Sequence, residues 1–145
     1  MKVADIKGVR KSVVVVPSTS RLGDVARSMR LDNIGAMVVS SGDHPMGGIV
    51  TERDIVHAIG VGGPAAVNLT AGEVMTSPVP TCSPDDRLTE VMQTMLQQRI
   101  RHLPLVEGGR LVGMVSMGDV VKGLVDRMEL EANVLRDLYL TATSR

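Results

Sequence analysis

The spacing of apolar residues changes along this chain, and the same series of spacings occurs twice. Apolar residues first recur at i, i+3, i+4 and i+7, from Leu22 to Met29 and again from Leu88 to Met95, which is the spacing of a helix with one buried stripe. Two short apolar runs follow each stretch, separated by a polar, glycine-containing turn, and they predict adjacent strands. These runs are residues 36–39 and 46–50 in the first half and 103–106 and 111–115 in the second.

Each half also contains a further strand and a second helix. A short apolar run precedes the first helix, around residues 13–16 and 79–82. A helical pattern follows the paired strands, over 52–59 in the first half and from residue 117 in the second. The predicted order in each half is therefore strand, helix, strand, strand, helix.

The two halves align with each other residue by residue. Residues 21–39 match 87–105 at an offset of 66, and residues 48–56 match 113–121 at an offset of 65, so the first copy has one extra residue in the turn around 42–45. One copy is too small to bury both faces of its sheet, and the second copy offers the matching apolar face. We predict a mixed α/β (α+β) fold of two pseudo-symmetric βαββα units packed sheet to sheet, plus a long C-terminal helix.

The predicted boundaries follow from this alignment. Residues 1–66 form the first unit, 67–128 the second, and 129–145 a C-terminal helix extension. Residues 60–69 are rich in Gly, Pro and Ala and predict a linker. Thr70 and Glu73 have the spacing of a capping box, which predicts a short helix through Met75.

The predicted last helix is longer than a small unit needs. Helical spacing continues from Asp119 to Leu140, which is 22 residues or roughly 33 Å of helix. The excess predicts packing against a second chain, and hence a homodimer; the alternative is a helix folded back on its own domain. The apolar face is formed by Val121, Leu124, Val125, Met128, Ala132, Leu135, Leu138 and Tyr139.

Composition and charge exclude several classes of function. The chain has 145 residues, with 16 Lys and Arg against 16 Asp and Glu, so no general attraction for nucleic acid or an anionic membrane is expected. Tyr139 is the only aromatic residue and Cys82 the only cysteine, which excludes base-stacking platforms and internal disulfides. No metal-ligand spacing and no catalytic motif is present, and the lack of an apolar leader or span predicts a cytoplasmic protein.

A Gly-x-x-(Thr/Ser)-x-x-Asp pattern occurs at both predicted strand-to-helix junctions. Thr51 and Asp54 form it in the first copy, and Ser116 and Asp119 in the second. One interpretation is a helix cap made twice, with the hydroxyl on the third amide and the carboxylate on the first. The other is a ligand site, because a helix N-terminus suits a phosphate and a nearby carboxylate can accept ribose hydroxyls. The two interpretations are compatible.

These repeated patterns, together with the stretches EVMTSPVPTCSPDD and IRHLPLVEGGRLVGMVS, resemble a tandem pair of cystathionine-β-synthase (CBS) domains, also called a Bateman module. The resemblance covers nearly the whole chain. It implies a pseudo-twofold pair of βαββα units, with clefts that commonly hold AMP, ADP, ATP or S-adenosylmethionine. It implies no required cofactor.

The resemblance also suggests roles for particular residues. Asp54 and Asp119 would contact ribose, while Thr51 and Ser116 would contact phosphate. Arg101 and His102 would face the ligand phosphates, with a solvated strand edge as the alternative; their first-copy counterparts, Gly35 and Ala36, are uncharged, so the two sites are not expected to be equivalent. Adenine would lie against the backbone of four residues for which core packing is the alternative: Val13, Val14, Val79 and Pro80.

The function expected from these observations is regulatory and not enzymatic. A stand-alone CBS pair would bind an adenine nucleotide and signal its occupancy to a regulated protein that the sequence does not identify. The alternative from another class is a ligand-free protein of the same fold that serves dimerisation and assembly.

Overall fold

The predicted order of strands and helices is present, except for one strand of the second half, in the structure, a computed structural model that describes residues 1–9 and 12–144. Two compact units divide the chain. We call Lys11–Thr81 the first-repeat unit, and Met1–Arg10 together with Cys82–Arg145 the second-repeat unit. The elements are β1 (Val15–Pro17), α1 (Leu22–Asp32), β2 (Ala36–Ser41), β3 (His44–Thr51), α2 (Glu52–Gly62), α3 (Ala71–Val74), α4 (Leu88–Gln98), β4 (His102–Glu107), β5 (Arg110–Ser116) and α5 (Met117–Thr143).

The first-repeat unit contains a three-stranded sheet in the order β1-β2-β3. β1 is parallel to β2, and β2 is antiparallel to β3, with Ala36 opposite Thr51. The turn predicted between β2 and β3 is confirmed, and Gly42 has a φ of 55° there, a conformation that glycine adopts without strain. The helices pack their predicted stripe on the sheet, and the buried core includes Leu22, Val25, Met29, Met37, Val39 and Val50.

The second-repeat unit contains the antiparallel pair β4 and β5. Its core repeats that of the first unit at the aligned positions, with Leu88, Val91, Met95, Leu103, Val115 and Val120 buried. The strand predicted at residues 79–82 is not formed; Cys82 alone pairs with Leu105, in parallel. Two prolines explain the difference. In the first unit Val38 N–H donates to Val14 O and Ser18 N–H to Ser40 O, whereas the aligned donors in the second unit are Pro104 and Pro84, which have no N–H.

The segment predicted as a linker, residues 60–69, is mostly helical. α2 continues to Gly62, and a 3-10 helix covers Gly63–Asn68, with Pro64 in its first turn. Ala66 is buried, so this segment is held by packing. The short helix predicted after it is confirmed: α3 begins behind Thr70, whose side chain accepts a hydrogen bond from the Glu73 N–H.

Each compact unit includes the segment that precedes the other repeat in the sequence: Met1–Arg10 belongs to the second-repeat unit, and the end of Lys11–Thr81 to the first-repeat unit. We call these two segments the exchanged segments. In the first-repeat unit, Leu22 N–H donates to Leu69 O at 2.8 Å and Ala71 N–H to Ser20 O at 2.7 Å. In the second-repeat unit, Leu88 N–H donates to Met1 O at 3.0 Å and Val3 N–H to Asp86 O at 2.9 Å. The units therefore differ from the ranges 1–66 and 67–128 predicted from the repeat.

The C-terminal helix has the predicted character and is slightly longer than predicted. α5 begins at Met117 and ends at Thr143. Val120 and Gly123 are buried against the second-repeat unit, whereas every residue from Val125 to Ser144 is exposed. In the described residues, no helix combines the length and apolar character needed to cross a bilayer.

Candidate functional site

Both copies of the Gly-x-x-(Thr/Ser)-x-x-Asp pattern form a capping box at the start of a helix. At α2, Thr51 N–H donates to Asp54 Oδ2 at 2.9 Å, and Asp54 N–H donates to Thr51 Oγ1 at 3.3 Å. At α5, Ser116 N–H donates to Asp119 Oδ2 at 2.9 Å, and Asp119 N–H donates to Ser116 Oγ at 3.1 Å. The cap interpretation is therefore confirmed at both junctions.

The two aspartates differ in how many of their carboxylate oxygens accept a hydrogen bond. Asp54 Oδ2 also accepts from the Thr51 hydroxyl at 3.2 Å, and its Oδ1 accepts from the Thr76 hydroxyl at 3.2 Å. Within the described residues, no hydrogen bond reaches Asp119 Oδ1. The Asp119 carboxylate therefore keeps one oxygen able to accept a hydrogen bond from a ligand, while both oxygens of Asp54 are used internally.

Thr76 is a site residue that the sequence analysis missed. It lies beside β3, where Ile49 N–H donates to Thr76 O at 3.0 Å and Thr76 N–H donates to Ile49 O at 2.9 Å. When the two exchanged segments are aligned by their matching hydrogen bonds, Thr76 corresponds to Gly8, which has no side chain. The difference between Asp54 and Asp119 follows from this substitution, and the 66-residue repeat contains no signal for it.

Arg101 and His102 lie beside the start of α5. His102 is the register partner of Ser116 across β4 and β5, and Met117 N–H donates to Arg101 O at 2.8 Å. Arg101 is exposed and His102 half-buried. The structure thus brings two basic residues to the same strand ends as the Ser116 and Asp119 capping box, within one unit.

A free backbone donor lies between the two capping residues of α5. The Gly118 N–H occupies the second helical position and has no acceptor in the described part of the chain. The residue itself is exposed, and a Cβ there would meet no atom closer than 3.7 Å. An unpaired N–H at the positive end of a 27-residue helix is a suitable donor for an anionic oxygen.

The first-repeat junction has the same backbone arrangement but lacks the two basic residues before the strand. Glu52 N–H donates to Gly35 O at 3.1 Å, as Met117 does to Arg101. Ala36 is the register partner of Thr51 and is buried. Gly35 and Ala36 have no polar side chain, so this junction lacks the counterparts of Arg101 and His102. The cation it does have is Arg53, an exposed residue at the second position of α2.

The four residues predicted to face adenine are in the first-repeat unit. Val14 O accepts a hydrogen bond from Val38 N–H at 3.1 Å, and Val13, Val14, Val79 and Pro80 are all half-buried. Val14 packs against the first-repeat core, in keeping with the packing alternative. A role toward a ligand stays a prediction for all four.

The Cys82 thiol is protonated and unreactive at neutral pH. It is 4% exposed, and burial, with a further contribution from the Asp86 carboxylate, raises the pKa of its thiol from 9.0 to about 12. A neutral, buried thiol is neither a nucleophile nor a metal ligand. No group of three or more His, Cys, Asp and Glu side chains that could hold a metal ion occurs among the residues that the structure describes.

Comparison with known proteins also finds two copies of one domain in this chain. The family model of the CBS domain matches residues 3–61 and again 71–126. The chain belongs to the CBS domain family. A tandem CBS pair is a module known for regulatory ligand binding, and proteins built of CBS domains are typically regulatory or signalling proteins.

Individual proteins similar to this chain are also described as CBS domain proteins. A mitochondrial CBS domain-containing protein of Arabidopsis thaliana is 37% identical over 106 residues, covering 70% of this chain and 52% of that protein. A crystal structure of a CBS-domain containing protein from Agrobacterium tumefaciens has 38% identity and a TM-score of 0.75, covering 83% of this chain and 88% of that one. A hexameric CBS-CP12 protein from bloom-forming cyanobacteria has 25% identity and a TM-score of 0.74, with coverages of 83% and 69%. This CBS pair thus spans about half the length of the Arabidopsis relative.

Proposed function

We propose that this CBS pair is a regulatory module that binds an adenosine-containing nucleotide at the start of α5 and passes its occupancy to a partner protein. The supporting observation is the arrangement of four side chains from one unit. Arg101 and His102 lie next to the Ser116 and Asp119 capping box, because His102 pairs with Ser116 and Arg101 O binds the Met117 N–H.

Each group there has a partner on a nucleotide. The Gly118 N–H, the helix N-terminus and the two basic side chains attract phosphate. Asp119 Oδ1, which accepts no hydrogen bond within the described residues, can accept a ribose hydroxyl. AMP, ADP and ATP share these features, and S-adenosylmethionine shares the ribose alone. The first-repeat junction lacks the counterparts of Arg101 and His102 and has an occupied Asp54 carboxylate, so we expect it to be the weaker site.

A nucleotide panel tests whether any ligand binds. Ligand at one hundred times its dissociation constant adds about 2.7 kcal/mol to the free energy of unfolding, which raises the melting temperature by several degrees for a chain of this size. We expect AMP, ADP or ATP to do so, and GMP and CMP to do so less. A melting temperature that no nucleotide changes at millimolar concentration would instead support the ligand-free assembly protein.

Two matched variants test the site. In Asp119→Asn the amide oxygen still caps α5, so the melting temperature without ligand changes little. The loss of charge-assisted bonds to ribose weakens nucleotide binding by about ten-fold to one hundred-fold. Asp54→Asn serves as the control and should weaken binding less, because Thr51 and Thr76 already occupy its carboxylate. Equal affinity of wild type and Asp119→Asn in calorimetric titration rejects the assignment.

A further inference from the structure

The exposed side of α5 has an apolar seam at alternating spacings of four and three residues. Its mean period is 3.5 residues, which is the repeat of a coiled coil and not the 3.6 of a helix lying on a globular core. The pattern holds without interruption over three heptads. The seam consists of Val121, Val125, Met128, Ala132, Leu135, Tyr139 and Ala142.

This seam is not the face that α5 uses in its own unit. Val120 and Gly123 are the buried residues of the helix, and neither belongs to the seam. Met128 is 67% exposed, while Leu135 and Tyr139 are each 68% exposed. Large side chains that repeat along one line and remain this exposed mark a surface that packs against another protein.

The charges beside the seam fit a second copy of this chain as the partner. Glu129 and Arg136 flank the seam on the same side, each directly after a seam residue. Neither has an oppositely charged residue three or four positions away, and neither forms an ion pair with any described residue. Glu131, on the other flank, is already bound to Arg127 at 3.1 Å. Glu129 and Arg136 are therefore complementary groups without partners inside the helix.

Only one alignment of two antiparallel copies joins these charges. If Ala132 lies opposite Leu135 of the second copy, Glu129 faces Arg136 of the second copy, and the pair forms twice by symmetry. The same alignment sets Met128 against Tyr139 and Val125 against Ala142. A large side chain therefore meets a smaller one at two of the three kinds of layer, each of which occurs twice. A shift by one heptad in either direction instead brings Glu129 against Glu129 or Arg136 against Arg136. A parallel pair would bring Arg136 to Glu131, which already has a partner.

We propose that two copies of this chain associate through an antiparallel coiled coil of the α5 seam, with Ala132 opposite Leu135 of the second copy. The inference rests on the seam, its exposure and the flanking charges, and is independent of nucleotide binding. It assigns a specific surface and register to the homodimer expected from the length of the helix.

Matched leucine variants test the surface. Leu135→Asp changes a seam residue, and Leu140→Asp changes a leucine on the opposite side of α5 that is 55% exposed. Because both side chains are exposed in the single chain, neither change should alter its folding. In light scattering across a concentration series, wild type and Leu140→Asp are expected to be dimers and Leu135→Asp a monomer. A monomeric wild type, or a dimer that survives Leu135→Asp, overturns the proposal.

Charge exchange tests the register. Glu129→Arg alone and Arg136→Glu alone each set like charges against each other twice, and each should weaken dimerisation about ten-fold. The double variant Glu129→Arg/Arg136→Glu restores both pairs and should return to within about three-fold of wild type. In a parallel pair, Glu131→Arg would be the change that rescues Arg136→Glu. Rescue by Glu131→Arg and not by Glu129→Arg therefore rejects the antiparallel arrangement.

Cysteine cross-linking tests the direction of the helices. In the proposed pair, Val125 lies next to Ala142 of the second copy, and the two Val125 positions are about 26 Å apart along the axis. A mixture of Val125→Cys and Ala142→Cys proteins should form a mixed disulfide dimer, while neither protein alone should cross-link efficiently. Disulfide dimers of each single variant by itself would indicate parallel helices and refute the proposal. The native Cys82 is buried and does not compete.

Discussion

Replacing Gly48 with alanine should destabilise the first-repeat unit, because β3 and the segment after α3 approach each other too closely there for a side chain. A Cβ at Gly48 would lie 2.6 Å from Met75 Sδ and 2.7 Å from the carbonyl oxygen of Thr76. The methionine side chain can move, but the carbonyl oxygen belongs to backbone that is hydrogen-bonded to Ile49 in both directions. The segment must therefore be compressed or displaced.

Both responses to the Gly48→Ala change have a similar cost. Overpacking of this kind typically costs about 1–3 kcal/mol. Displacement of the segment breaks two backbone hydrogen bonds, worth about 1 kcal/mol each, and separates the Thr76 hydroxyl from Asp54. We therefore expect a loss of about 2–3 kcal/mol in the free energy of unfolding, or roughly 4–12 °C in melting temperature for a chain near 150 residues.

Gly60→Ala is the matched control. Gly60 lies inside α2 and is exposed, and a Cβ at this position would have no atom within 4 Å. Alanine there should stabilise the protein by about 0.5–1 kcal/mol, because it favours the helix over the unfolded chain. Urea unfolding of both variants, with unchanged slopes, measures the difference. A Gly48→Ala protein as stable as Gly60→Ala would refute the reasoning from close approach.

Two further outcomes follow from contacts described above. Cys82 should react with iodoacetamide near pH 8 at least about a thousand-fold more slowly in the native protein than in denaturant, because its raised pKa leaves little thiolate; alkylation at the rate of a free thiol would contradict this. The same raised pKa predicts that stability falls as the pH rises above 9.0, where only the unfolded thiol ionises. Thr70→Ala should cost about 1 kcal/mol by removing the α3 cap, whereas Thr141→Ala, at the exposed end of α5, should change stability by less than about 0.5 kcal/mol; equal losses in urea unfolding would contradict the capping role.

The repeat made most of the local structure predictable. Helical stripes such as Leu22 to Met29, the glycine turn at Gly42 and the two capping boxes each depend on residues close together in the sequence, and each is confirmed. The absence of the strand at residues 79–82 was also predictable, since Pro84 and Pro104 cannot donate the backbone hydrogen bonds that Ser18 and Val38 donate in the first repeat. The apolar run alone predicted a strand there, although proline cannot donate the backbone hydrogen bonds that a strand needs.

Contacts between residues that are distant in the sequence could not be predicted from it. Nothing near Thr76 indicates that its hydroxyl binds Asp54, because the two residues meet only when the segment after α3 pairs with β3. The same limit applies to the exchanged segments. A repeat shows which residues are equivalent, but it does not show which copy a flanking segment packs on, and both choices satisfy the same hydrophobic pattern.

The exchange of segments sets an order for folding during synthesis. The first-repeat unit is one continuous stretch, Lys11–Thr81, and all of it has been translated before α4 exists. The second-repeat unit combines Met1–Arg10 with the residues from Cys82 onward, so the segment before the first repeat packs only after the second repeat has been made. Val3, which is only 2% exposed in the finished protein, remains without its core until Leu88 and Val120 have been made. The first-repeat unit can thus form during translation, while the segment before it has no packing partner until the second repeat has been made.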